Sequence, residues 1–251
     1  VSLANNNVPN FGEQGVLDTL ALLHAAGIQT AGAGKDLAEA LQPAVITKNG
    51  LTIAFLAYND MDVVPENYGA SDHRAGTALM DIPTMQEAVR KANDDADIVV
   101  VSMHSGIEYA PTPNASQQRF AHAAIDTGAD LILGHHPHVV QPAELYKGKY
   151  IIYSLGNFIF DQPFSDDTKT GMTAVMTASK KGIDNITFQP VSIEHAAQPR
   201  LLAWPDAHNT AERLAVPLDA AGNVLRVSDL AKIVSLSTRS WLNPVIPFTV
   251  E

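Results

Sequence analysis

Apolar positions recur at helical spacing over residues 13 to 26, where Val16, Leu17, Leu20, Leu23 and Ala26 share one face and Gly27 follows as a stop. This pattern predicts a helix, followed by a strand-like run over 28 to 30 and a short helical stretch over 36 to 41. Strands are expected over 44 to 47 and 51 to 57. They flank Asn49-Gly50, a dipeptide suited to a two-residue hairpin turn because both positions tolerate positive φ. Pro83 fits the first turn of a helix reaching to about Asn93. Residues 97 to 103 then form a continuous apolar run of the kind buried on both faces of a parallel sheet. A helix over 116 to 127, stopped by Gly128, leads into a second buried strand over 130 to 133.

From residue 139 onward the pattern changes to antiparallel strands with tight turns. Runs over 139 to 146 and 150 to 155 flank Lys147-Gly148, and further strands are expected over 172 to 178 and 183 to 193. Helical patterns return only near 210 to 215 and 228 to 237. No internal repeat, low-complexity tract or linker interrupts the chain, which predicts one domain over 1 to 251: a motif-bearing α/β part to 162 and a β-rich part from 163. The opening residues, 1 to 4, read as the middle or end of a buried strand and contain no Met. The expectation is therefore that the N-terminal part of the fold lies upstream of them. The lack of a signal segment is then no evidence for a cytoplasmic home.

Composition narrows the function classes. The 251 residues are 46% hydrophobic, enough for a sizeable core, and no stretch reaches the roughly 18 apolar residues of a membrane span. A net charge of −11 and a pI near 5.1 argue against a nucleic-acid partner, since the 16 Lys and Arg are scattered and form no basic patch. Zero cysteines exclude disulfides, thiolate metal sites and thiol nucleophiles, which adds weight to the histidines.

Three of those histidines fall in one turn, Gly134-His135-His136-Pro137-His138, directly after the strand over 130 to 133. His-x-His places two imidazoles where they can grip one cation or divide between two. Asn5-Asn6-Asn7 follows the opening strand, His104 follows the strand over 97 to 103, and Asn157 follows the strand over 150 to 155. Four polar groups at four strand carboxyl ends point to one shared site, because ligands gather at that edge of open α/β sheets. Imidazole and amide donors without thiolates suit Mn²⁺, Zn²⁺ or Fe²⁺, as one ion or a pair, and such ions serve hydrolysis by polarising a phosphoryl or carbonyl oxygen. Glu108 and Asp161 are the nearby carboxylates. His24 and His122 lie in helical patterns and read as packing or surface residues, His195 and His208 receive no role, and His73 sits in a long polar loop over 59 to 81 that could cover a site.

The strings VSLANNN, GIQTAGAG, MHSGIEYAPTPNASQQRFAHAAIDTGADLILGHHPHVVQPAE and IIYSLGNFIFD resemble the CapA family of capsule synthesis proteins, associated with poly-γ-glutamate. The likeness covers roughly residues 1 to 162, and the combination of H-x-G-x-E-Y, G-H-H-P-H-V-x-Q and S-L-G-N-F is specific. The resemblance implies an α/β, metallophosphatase-like fold: a layered β-sandwich flanked by helices. It also implies a metal set of Asn6, His104, His136 and His138. Asn7, His135 and Glu108 become the expected catalytic group, with His135 orienting a ligand or touching substrate, and Asn157 and Tyr109 the expected substrate contacts.

Two departures from the family pattern stand out. Asn7 occupies the position of a His, and an amide can hydrogen-bond an oxyanion but cannot transfer a proton at a useful pKa. The family's opening G-D motif and its acidic residues have no counterpart in these residues, so metal binding is expected to be weak. The functional expectation is a capsule or poly-γ-glutamate biosynthesis protein with a phosphoesterase-like hydrolase site, acting outside the cytoplasm and membrane-anchored through another segment. Its partners would be an anionic polymer or phosphoester and a membrane-bound synthase. The alternative is a non-catalytic surface scaffold that binds the polymer.

Overall fold

The computed structural model describes residues 1–195 and 197–203. Its centre is a six-stranded sheet built from β2 (Ala44–Lys48), β3 (Leu51–Asn59), β5 (Ile98–His104), β6 (Leu131–His135), β7 (Val140–Tyr146) and β8 (Lys149–Leu155), in the order β2-β3-β5-β6-β8-β7. The four inner strands are parallel, and the two edges, β2 and β7, pair antiparallel to β3 and β8. β1 (Ala33–Gly34) and β4 (Gly76–Thr77) form a separate two-stranded sheet.

Side-chain alternation divides the central sheet into two faces. Leu56, Tyr58, Val99, Val101, Met103, Ile132 and Tyr153 point to one face and pack with Met85 and Val89 of α3 (Ile82–Asp95) and Phe120 and Ala124 of α4 (Ala115–Thr127). Ile98, Val100, Leu131 and Ile152 point to the other, where a three-stranded antiparallel sheet of β9 (Thr170–Ser179), β10 (Gly182–Glu194) and β11 (Gln198–Leu201) covers them through residues such as Ile186. The described residues therefore make three layers, helices on sheet on sheet, in which the crossovers β3-α3-β5 and β5-α4-β6 both lie on the helical face.

The helices begin where their sequences dictate. Asp81 caps α3 by accepting from the Thr84 amide at 3.0 Å, with Pro83 in the first turn, and Asn114 and Gln117 form a reciprocal capping box at α4. The Asn49-Gly50 turn joins β2 to β3 with φ of 52° and 76°, both in the region the hairpin requires. The first helix, α1 (Gly12–Ala25), closes with the Gly27 and Ile28 amides donating to the carbonyls of His24 and Leu23, each at 2.9 Å, and the short α2 (Leu37–Ala40) is capped by Asp36.

That closure corrects the expected strand over 28 to 30. Ile28 is consumed in ending the helix, and the extended pairing falls instead on Ala31, which bridges Ser2 in parallel. The opening strand over 1 to 4 is correspondingly reduced to this single bridge. The polar segment 59 to 81 carries its own structure, a 3-10 turn over Glu66–Tyr68 and β4 paired to β1. The strand over 150 to 155 has an antiparallel neighbour in β7 as expected, and a parallel one in β6. The helical patterns near 210 to 215 and 228 to 237 lie outside the described residues.

Candidate metal centre at the carboxyl edge of the central sheet

β3, β5, β6 and β8 end together at one edge, and the parallel register pairs His104 with His135 and Asn59 with His104. Period two puts Ser102, His104 and His135 on a common face, the one that deeper in the sheet carries Ile98, Val100 and Leu131. The three side chains form a chain of contacts: Ser102 Oγ to His135 Nε2 at 2.8 Å, then His135 Nδ1 to His104 Nδ1 at 2.7 Å. At its outer end, His104 Nε2 lies 3.0 Å from Asn6 Oδ1 and 3.1 Å from His136 Nδ1.

Asn6, His104 and His136, spread over more than a hundred positions of sequence, thus meet through their donor atoms. His138 stands next to them, its ring centroid 6.1 Å from that of His136. His138 Nδ1 contacts Asn157 Oδ1 at 2.9 Å, and its Nε2 is 4.0 Å from Glu108 Oε1. Tyr109 stacks on the His138 ring at 6.0 Å, and Phe160 flanks it at 5.1 Å. Asn157 is buried: its amide nitrogen donates to Gln162 Oε1 and to the Thr168 carbonyl, so its polar atoms face protein partners. Asn7 is exposed and accepts from Asn10 at 3.1 Å, turned to the loop rather than to the imidazoles. Asp161 is likewise exposed.

The backbone is strained where the imidazoles gather. His136, His138 and Tyr109 have φ of 108°, 62° and 65°, a region that L residues other than Asn, Asp or Gly rarely occupy, and such positions concentrate at binding sites. Three hydrogen bonds over-determine this geometry. The Tyr109 amide donates to the Pro137 carbonyl at 2.8 Å, and Gln141 Nε2 donates to the carbonyls of Ala110 and Thr112 at 3.0 Å, fastening the loop that carries Glu108 and Tyr109. Gly106 starts that loop with φ of 118°, and a Cβ there would strike Gln117, the residue that passes the tie on to Gln141 at 3.0 Å.

Three of the imidazoles, those of His104, His135 and His136, are held neutral. Burial pushes His104 far below its ordinary value, and the charges that His135, His136 and His138 would carry push the same way. Burial, joined by the neighbouring His136, lowers His135 to about 4. His136 is also lowered, burial outweighing the opposing carboxylates of Glu108 and Asp60. A neutral ring keeps a lone pair for a cation.

Asp60 went unremarked in the sequence. It directly follows β3 and is buried, its carboxylate accepts from the Ser105 hydroxyl, and its amide donates to the His104 carbonyl at 2.9 Å. The signal that selected His104 and Asn157, a polar residue after a strand, also marks Asp60. Gln141, the anchor of the Glu108 loop, falls within the V-x-Q string but carried no role in the sequence reading.

The donor set fits a cation in part. Neighbouring ligands about 2.0–2.2 Å from one ion sit roughly 3 Å apart, the spacing that Asn6 Oδ1 and His136 Nδ1 each keep from His104 Nε2. Among the described residues, however, no group of three His, Cys, Asp or Glu side chains forms a ready cage. Outside the site, His24 contacts Thr30 at 3.0 Å, and His122 pairs with the buried Glu144 at 2.9 Å.

Residues 1–162 match the model of a family described as bacterial capsule synthesis protein PGA_cap. The PGA biosynthesis protein CapA of Bacillus subtilis (strain 168) is 39% identical over 199 residues, 78% of this chain and 51% of that protein. The capsule biosynthesis protein CapA of Bacillus anthracis is 37% identical over 166 residues, 64% of this chain and 40% of that protein. The chain spans about half the length of these relatives, or less. Among solved structures, the NAD nucleotidase NadN of Haemophilus influenzae is similar with a TM-score of 0.47 and 13% identity, over 95% of this chain and 50% of that one.

Proposed function

Because the chain belongs to the bacterial capsule synthesis protein family PGA_cap, we propose that it acts outside the cytoplasm in making or trimming a poly-γ-glutamate-type capsule polymer, beside a membrane-bound synthase, through a metal-dependent hydrolytic site. One observation carries this reading: the donor atoms of Asn6, His104 and His136 converge within 3.1 Å steps at the carboxyl edge of parallel strands.

Asn6, His104 and His136 would hold a divalent cation of the Mn, Zn or Fe class, with His138 beside them. Such an ion would supply Lewis acidity toward a phosphoryl or carbonyl oxygen and a local positive charge where an anionic substrate meets a chain of net charge −11. The chain's own residues do the rest. His135 and Ser102 hold the His104 ring by its inner nitrogen, leaving the outer nitrogen at the site. Glu108, 47% exposed at the side chain, stands at the mouth where it can accept a proton, and Tyr109, 43% exposed, offers a ring face to the substrate backbone.

The test is calorimetric titration with Mn²⁺ or Zn²⁺, then release of product from a phosphodiester and from poly-γ-glutamate by the full-length protein and its His136→Ala variant. Metal uptake and metal-dependent release, both reduced in the variant, are expected. Release that is equal with and without His136 would overturn the reading.

A second reading, a polymer-binding scaffold without catalysis, is favoured by Asn7. Its amide is turned to Asn10, so the position that would supply a proton offers neither a titratable group nor contact with the histidines.

A further inference from the structure

We propose that Asn157 is a positioning residue that locks His138 in its Nδ1–H tautomer and so reserves Nε2 for whatever enters the site. The Thr168 carbonyl can only accept, so the Asn157 side-chain atom 3.0 Å from it must be the NH2 group. That fixes the amide's orientation and places its carbonyl oxygen against His138 Nδ1 at 2.9 Å. An amide oxygen can only accept, so Nδ1 carries the ring proton, and in a neutral imidazole the other nitrogen is then the lone pair.

The surroundings keep this arrangement in place. Asn157 is 6% exposed, and its second amide hydrogen is directed at Gln162 Oε1, 3.2 Å away. Thr168, 1% exposed, ties its own loop by donating from Oγ1 to the Gln162 carbonyl at 2.7 Å. Phe160 and Tyr109 bracket the His138 ring and hold its plane, and the hydrogen bond to Asn157 selects which edge of that plane faces inward. The loop after β8 therefore acts as a clamp whose buried side holds one imidazole in one protonation pattern. The inference rests on the proposed site only in taking Nε2 as the working atom; the tautomer itself follows from the hydrogen bonds.

The experiment is long-range ¹H–¹⁵N NMR of the histidine rings in the metal-free protein, with His138 assigned through His138→Gln, followed by titration with Zn²⁺ alone. The native protein should show His138 protonated at Nδ1. Asn157→Leu, which removes the acceptor, should move His138 toward the Nε2–H form and weaken Zn²⁺ binding by about 10–100-fold. Asn157→Asp, which keeps an acceptor oxygen, should retain Nδ1–H. A native His138 protonated at Nε2 overturns the proposal without need of any variant, and so does an unchanged tautomer in a folded Asn157→Leu protein. A locked tautomer that shifts in Asn157→Leu, in a protein that takes up no Zn²⁺, supports the positioning role and rejects the metal centre.

Discussion

His104 and His135 face each other through their Nδ1 atoms at 2.7 Å, so one proton, and only one, lies between them. Strand register makes the pair, since β5 and β6 are parallel and place the two residues side by side on one face. If His104 presents a lone pair at Nε2 to a cation, its Nδ1 holds the hydrogen and donates to His135, whose Nε2–H then donates to Ser102. If His104 instead donates from Nε2 to Asn6, the whole chain reverses. A ring that removes both nitrogens of His135 leaves a buried His104 nitrogen and the Ser102 hydroxyl without this partner. His135→Phe should therefore lose about 1–3 kcal/mol of stability in urea denaturation, and an unchanged midpoint would reject the coupling.

The same pair sets a pH dependence. In the unfolded chain His135 titrates near its ordinary value of 6.5, and in the fold at about 4. Between these values the unfolded chain binds the proton and the folded chain does not, so stability rises with pH through the window and is lost as pH falls from 6.5 toward 4. His104, lowered further, adds in the same direction. With chelator present, thermal scans of the native protein should show a melting temperature that drops by several degrees across this range. His135→Phe should show a shallower drop, and a flat profile in the native protein would contradict neutral buried rings.

Metal affinity discriminates among the histidines. His136 Nδ1 is 3.1 Å from His104 Nε2, whereas His195 sits in the turn after β10 with φ of 47°. His136→Ala and His138→Ala should each weaken Mn²⁺ or Zn²⁺ binding at least about tenfold in calorimetry, and His195→Ala should leave it unchanged. Equal affinities in all three would remove the ligand assignment.

Local pattern was legible where a single segment decides its own state. Val16, Leu20 and Leu23 announced α1, Asn49-Gly50 announced its hairpin, and the unbroken run from Ile98 announced a strand buried on both faces. What period-two alternation does not encode is the partner: nothing in residues 149 to 155 distinguishes an antiparallel neighbour, β7, from the parallel one, β6, that brings this strand's end to the site. Ile28 misled for a related reason, because an apolar residue after a helical glycine serves the helix cap as well as it would a strand. At the site, His stood out because three of the nine histidines share one turn, and Asn157 because it follows a strand. Asp60 did not, since the strand before it was expected to end at 57, and only with β3 running on to Asn59 does Asp60 directly follow a strand end.

Asn7 is the position at which catalysis can be tested against binding. An Asn there can donate or accept a hydrogen bond, but it holds no proton that moves near neutral pH, and its Oδ1 is already engaged by Asn10. Asn7→His would put a titratable ring one residue after Asn6, whose Oδ1 contacts His104. If the site hydrolyses its substrate and lacks only a proton donor to the leaving oxygen, this substitution in the full-length protein should raise metal-dependent turnover of a phosphodiester by about 10²–10⁴-fold. The gain should follow a bell-shaped pH profile absent from the native protein, because the new ring must be protonated while its neighbours stay neutral. Turnover unchanged by Asn7→His, with both proteins retaining anionic polymer in a pull-down, would leave the scaffold reading in possession of the site.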